Sequence, residues 1–316
     1  MAFALDPEVQ QILGPVLAVM SGAPRPATGD VAARRSVFDG NPGLLDGRRL
    51  FPADVECSEH VTRSPDGADI PLRWYSLRGH SPGSAAVYLH GGGIIMGNID
   101  LYHGTVARYV ADTGVPMLAV EYRVAPEYPG AIPVEDCYAG LRWLAQNAEH
   151  LGADPHRLAV MGDSGGGGLA AGLAILARDR GEVDLAQQIL VYPMLDDRTV
   201  TPNPDLEPTC MWSYEDNVTA WEAVLGEDRG TASVSPYVAA ARLEDASGLP
   251  PTYLEVGELD IFRDECLAYA QKLLQSGVST EFHLHRGVPH GSDIWGPELG
   301  PTLRARADRL RVLQAL

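Results

Sequence analysis

One short run constrains the fold of this chain more than any other. Val160-Met161-Gly162-Asp163-Ser164-Gly165-Gly166-Gly167-Gly168 follows an apolar, strand-like stretch directly and precedes an Ala/Leu-rich, helix-like one directly. A serine with glycines two positions away on either side, at a strand-to-helix junction, is the context of a nucleophile elbow. A β-carbon at Gly162 or Gly166 would meet neighbouring backbone in so tight a turn, and the turn thrusts the serine hydroxyl outward. Ser164 is therefore the candidate nucleophile. With 34 glycines in 316 residues, chance alone produces such a pattern readily, and a glycine-rich helix start would look the same. The reading depends on independent partners.

The surrounding periodicity supplies a frame for them. From about Val55 onward, strand-like segments at 70–77, 85–89, 116–122, 158–161, 188–192, 252–256 and 280–285 alternate with helical ones, including 134–148, the run after Ser164, and 263–276. Such alternation with apolar strands predicts an α/β fold, a mostly parallel central sheet covered by helices on both faces. Ahead of it, Val9, Ile12, Leu13, Val16, Leu17 and Met20 have helical spacing and leave one apolar face that must be covered. A second short helix is expected near 30–38, with connectors at 21–29 and 41–47. Between 196 and about 235 the pattern breaks into Pro-rich, aromatic sequence that includes Trp212, Tyr214 and Trp221. An insert at the carboxyl end of a strand belongs over a pocket, so Trp212 and Tyr214 either contact substrate or pack the insert on the core.

Three features qualify as partners of Ser164. His90-Gly91-Gly92-Gly93 follows the buried stretch Ala85-Ala86-Val87-Tyr88-Leu89, and glycine amides there can stabilise a developing oxyanion. Gly91 and Gly92, joined by Gly165 at the start of the next helix, are the expected donors. Among nine histidines, His283 and His285 alternate in a strand with one polar face and read as solvent-facing. His290 lies instead in Gly287-Val288-Pro289-His290-Gly291, a loop just past the last strand, where parallel sheets carry chemistry. The acid comes from the turn after Thr252-Tyr253-Leu254-Glu255-Val256-Gly257. Asp260 fits best, Glu258 is a rival, and a plain helix N-cap is the bland reading of Asp260. The order Ser, Asp, His is that of α/β-hydrolases.

These blocks, with Glu121-Tyr122-Arg123-Val124-Ala125-Pro126-Glu127 and Asp154-Pro155-His156-Arg157, resemble the hormone-sensitive-lipase-like esterases, bacterial family IV, over roughly residues 54–292. The resemblance implies an α/β-hydrolase fold and a carboxylesterase for short- to medium-chain acyl esters, with Ser164, Asp260 and His290 as its triad. It implies no metal or organic cofactor, and a structural role for residues 122–127. It also implies a helical cap built from an N-terminal segment, residues 1–50, and a second piece at about 196–235, over a catalytic core of residues 51–316. Two departures stand out. Gly165 occupies a position often held by alanine, which predicts a looser turn, and Ser292 and Asp293 follow Gly291, which predicts a more polar pocket rim.

Composition narrows the partners. A net charge of −18 disfavours nucleic acid and anionic membrane surfaces, and no apolar run is long enough to span a bilayer. A small-molecule ester is the expected partner; a homodimer would suit the fold, though no residue specifies one. Cys57, Cys137, Cys210 and Cys266 lack metal or redox spacing and are read as buried thiols. With no basic leader at the N-terminus, a cytoplasmic location is expected. Two rivals share the same residues: an amidase using the same triad, and a catalytically silent ligand-binding protein, which would have no need of His290.

Overall fold

The computed structural model describes residues 3–22, 25–40 and 51–316. Eight strands form one sheet in the order β1-β2-β4-β3-β5-β6-β7-β8. They are β1 (Val55–Arg63), β2 (Asp69–Leu77), β3 (Gly83–Leu89), β4 (Met117–Val120), β5 (Ala153–Asp163), β6 (Gln187–Val191), β7 (Thr252–Gly257) and β8 (Thr280–His285). β2 pairs antiparallel with β1 and β4, and all remaining pairs are parallel. The central strands β3 to β7 are buried along most of their length, as a sheet with helices on both faces requires. β1 is mostly exposed, and its charged residues protect that edge from further pairing. The predicted α/β fold is the observed one.

Nine α-helices accompany the sheet among the described residues. They are α1 (Pro7–Gly22), α2 (Val31–Phe38), α3 (His103–Thr113), α4 (Ile132–Asn147), α5 (Gly165–Arg180), α6 (Tyr214–Leu225), α7 (Arg263–Gln275), α8 (Ser292–Trp295) and α9 (Gly300–Gln314). Sequence reading did not single out β1, α3 or α9. The expected connector at 41–47 lies outside the described residues, as do 23 and 24 of the expected connector at 21–29. The first helix runs two residues further than its apolar spacing suggests, and Val9 and Leu13 on its buried face pack against Val288, just ahead of His290.

Two expectations need correction. Cys57 is exposed on β1, while Cys137, Cys210 and Cys266 are buried free thiols, because β1 is the edge strand of the sheet and most of its residues are exposed. His283 and His285 are half-buried rather than solvent-facing: β8 is flanked by carboxylates, so His283 Nε2 lies 2.6 Å from Glu281 Oε1 and His285 Nε2 lies 3.7 Å from Glu255 Oε2. Among the described residues no helix is long and apolar enough to cross a membrane.

Candidate active site

The carboxyl ends of β3, β5, β7 and β8 deliver the four segments singled out above to one place. Ser164 sits between β5 and α5 at φ 55° and ψ −119°, a conformation that costs a non-glycine residue of order 1–3 kcal/mol. Three backbone hydrogen bonds hold it there: its N–H donates to Val191 O at 2.9 Å, and its carbonyl accepts from Gly168 at 2.9 Å and Met194 at 3.0 Å. The flanking glycines are required by contact. A β-carbon on Gly162 would lie 2.2 Å from Gly166 O, and one on Gly166 would lie 2.2 Å from the carbonyls of Leu89 and His90.

Ser164 Oγ lies 2.9 Å from His290 Nε2, and His290 Nδ1 lies 2.7 Å from Asp260 Oδ2. Asp260 is fully buried, and its other oxygen accepts from Phe262 N at 2.9 Å. It thus makes the local N-cap-like contact of the bland reading and the histidine contact together. The His290 ring is wedged edge-on between Tyr192 and Phe262. Glu258, the rival acid, points elsewhere and accepts from Gly287 N at 2.9 Å. Ser164, His290 and Asp260 therefore form one hydrogen-bonded chain in which a hydroxyl proton can pass to an imidazole held by a buried carboxylate.

The glycine loop differs by one residue from expectation. Gly92 and Gly93 line the cavity that contains Ser164. Gly91 is behind them, where a β-carbon would lie 2.8 Å from Tyr102 Oη. The loop positions that line the serine cavity are thus Gly92 and Gly93, with Gly165 next to Ser164 in the chain, and no backbone hydrogen bond engages these three amides among the described residues. Gly165 approaches so closely that a β-carbon on it would lie 2.8 Å from Gly93 N, so the turn is tight rather than loose. Sequence could not choose among three consecutive glycines, because the choice depends on the positive φ at Gly92 and Gly93.

His90 fixes this loop. Its Nδ1 lies 2.8 Å from Gly91 O, its ring stacks on Tyr122, and Tyr122 Oη donates to His90 O at 2.6 Å. Burial lowers His90 to about 4, so the ring is neutral at pH 7. The 122–127 block is structural in this way, and through Glu127, whose carboxylate accepts from both Arg35 Nη atoms at 2.6 and 2.7 Å.

Ser164 and His290 open into a cavity of about 440 Å³ with largely apolar walls. α1 contributes Val16, α2 contributes Val37 and Phe38, and the segment ahead of α6 contributes Met211 and Trp212. Tyr214 is absent from this wall and lines a separate small cavity with Arg25 and Glu207, since as the first residue of α6 it turns away from the serine. Ile294 and Trp295, which sequence reading missed, face the cavity; two large apolar residues soon after His290 were the available signal. Asp293 accepts from Tyr192 Oη at 2.8 Å and Arg309 Nη1 at 2.6 Å, and leaves the serine-side rim more apolar than predicted.

The fold and this constellation define a serine hydrolase of α/β architecture. The chain belongs to the hormone-sensitive-lipase-like branch of the alpha/beta hydrolase fold family, whose model matches residues 86–293. It is 37% identical over 241 residues to the carboxylesterase NlhH of Mycobacterium tuberculosis, covering 74% of each chain. It is 34% identical over 270 residues to an ethyl acetate hydrolase of Pseudomonas putida, covering 82% of this chain and 81% of the relative. Among solved structures, a bacterial heroin esterase superposes with a TM-score of 0.88 at 34% identity, over 99% of this chain and 98% of that one.

Proposed function

We propose that this protein is a carboxylesterase acting on short- to medium-chain acyl esters through an acyl-enzyme. Its relatives are named for ester hydrolysis, and the observation that carries the mechanism is the unbroken chain from Ser164 Oγ through His290 to Asp260. Ser164 Oγ attacks the acyl carbon while His290 Nε2 takes its proton. Asp260 stabilises the imidazolium, and the amides of Gly92, Gly93 and Gly165 receive the oxyanion. His290 then protonates the departing alcohol and afterwards activates the water that releases the acid. No step calls for a metal or organic cofactor.

In this reading α1, α2 and the 196–235 segment act as the cap. Arg34 supports it: its side chain is nearly fully buried, donates to Asp216 Oδ1 at 2.8 Å and thereby ties α2 to α6. The same carboxylate closes the capping box of α6 by accepting from Ser213 N at 3.0 Å. The apolar walls suit an acyl chain, and Trp212 is the cap residue expected to touch it. The silent-binding alternative has no use for His290 at hydrogen-bond distance from the serine.

Initial rates of p-nitrophenyl butyrate hydrolysis by the wild type and by Ser164→Ala, both checked for folding by circular dichroism, test the proposal. Activity in the wild type and its loss in the variant are expected. An inactive, folded wild type would overturn the esterase reading, and equal rates would overturn Ser164 as the nucleophile.

A further inference from the structure

Tyr192 joins the two halves of the proton relay. Its ring meets the His290 ring edge-on with 4.8 Å between centroids, and Phe262 does the same at 5.1 Å. Its backbone belongs to the segment that pins the nucleophile. Val191 O, one residue before it, accepts from Ser164 N, and Met194 N, two residues after it, donates to Ser164 O. Tyr192 itself has a φ of 36°, and among the described non-glycine residues only Ser164 and Ile94 share its positive sign. Such a conformation persists only where the surroundings over-determine it.

Those surroundings converge on Arg309. Tyr192 N donates to Glu255 O at 2.8 Å, and Tyr192 Oη donates to Asp293 Oδ1 at 2.8 Å. Arg309 grips the side chains of both partners: its Nε donates to Glu255 Oε1 at 2.9 Å and its Nη1 to Asp293 Oδ2 at 2.6 Å. Its guanidinium carbon also stands 5.8 Å from the centroid of the Tyr192 ring, within cation–π range. Tyr192, Glu255 and Arg309 are all buried, so these bonds are made away from bulk water, where they are strongest.

The base needs such a wall. In every turnover His290 Nε2 gives up its contact with Ser164 Oγ, when its proton goes to the departing alcohol. The tether that remains, from Nδ1 to Asp260 Oδ2, is one hydrogen bond at one corner of the ring and leaves the ring free to rock about it. An aromatic edge packed against the imidazole restricts that rocking and keeps Nε2 aimed between the serine oxygen and the leaving oxygen.

We propose that Tyr192 is a positioning residue for His290, held in its strained conformation from α9 by Arg309 through Asp293 and Glu255, and that it governs delivery of the serine proton to the leaving alcohol. The proposal rests on the esterase reading.

Phenyl butyrate and p-nitrophenyl butyrate share an acyl group, but phenolate is the more basic leaving group and depends more on the proton from His290. Their kcat/KM values are measured in the wild type, Tyr192→Leu and Tyr192→Phe, each checked by thermal melting. Tyr192→Leu removes the ring and is expected to lower kcat/KM for phenyl butyrate about tenfold more than for p-nitrophenyl butyrate. Tyr192→Phe keeps the ring and loses only the bond to Asp293, and a selective loss of about threefold is expected. If Tyr192→Leu does not fold, Tyr192→Phe decides alone. Equal losses on the two esters, as from a residue that only packs or only binds substrate, or no loss at all would overturn the proposal. Should the wild type cleave neither ester, the esterase reading falls separately. Positioning is then read by proton NMR: the His290 Nδ1 proton, identified by its loss in His290→Ala, should be sharp in the wild type and broadened in Tyr192→Phe, and an unchanged line would overturn it.

Discussion

The two sides of the serine cavity are built by different means. On the floor, main chain does much of the positioning, joined by the His90 and Tyr122 side chains at the glycine loop and by Asp260 at His290. Ser164 is pinned by backbone hydrogen bonds, the glycine loop is shaped by positive φ angles, and β-carbons are excluded at 162 and 166 by neighbouring carbonyls. On the covering side, side chains reach across: Arg34 to Asp216, Arg35 to Glu127 and to the carbonyls of Ile95 and Ala125, and Asp39 Oδ1 to Gly97 N. A backbone-built floor fixes the reaction geometry independently of what is bound. A side-chain-built cover rests on contacts that can be changed one residue at a time.

The sharpest way to break this contrast is on the floor. Asp260→Asn keeps the volume but lets the His290 ring take the wrong tautomer, and is expected to lower kcat roughly 10⁴-fold without shifting the urea unfolding midpoint appreciably. A loss below tenfold would show that the buried carboxylate is dispensable. Next in size is Arg309→Met, which strands Glu255 and Asp293 without their buried counter-charge. It should cost about 3–5 kcal/mol in equilibrium unfolding.

On the cover, Arg34→Met frees α2 from α6, and KM for p-nitrophenyl butyrate should rise about fivefold with kcat within about twofold. A fall in kcat alone would mean that the cover also sets the reacting geometry. The smallest effect concerns pH. Burial raises Asp163 from 3.8 to about 7, so the folded state holds this proton more tightly than the unfolded chain does. The resulting stabilisation is complete below the unfolded value and is lost as pH rises through about 7. Between pH 5 and 8 the wild type should lose more unfolding free energy than Asp163→Asn, and parallel pH profiles would count against the buried carboxyl as the cause.

The same division explains what the sequence made legible. Floor elements announced themselves through apolar runs ending in glycine, serine or histidine, so the sheet, the elbow, His290 and Asp260 could be read directly. The choice between Gly91 and Gly93 could not be, because it rests on torsion angles that glycine leaves unconstrained. Cover residues were harder still. Tyr214 and Trp212 are equally aromatic and two positions apart, yet the start of α6 rotates one out of the cavity that the other lines. Asp293 looked like a polar rim because its partner, Arg309, is distant in sequence and belongs to a helix whose modest amphipathicity gave little warning. The exposed Cys57 was misjudged for a related reason: burial at a sheet edge depends on what covers it.

Arg309 also places the site in time. Its partners Glu255 and Asp293 flank the two segments that bring Asp260 and His290 to Ser164, and they carry like charges that repel until a cation arrives from α9. A ribosome making this chain would emit the serine elbow long before the arginine that neutralises the ground beneath its histidine. The electrostatic support of the histidine segment is therefore completed from the far side of the sequence, by a residue that comes well after the elbow.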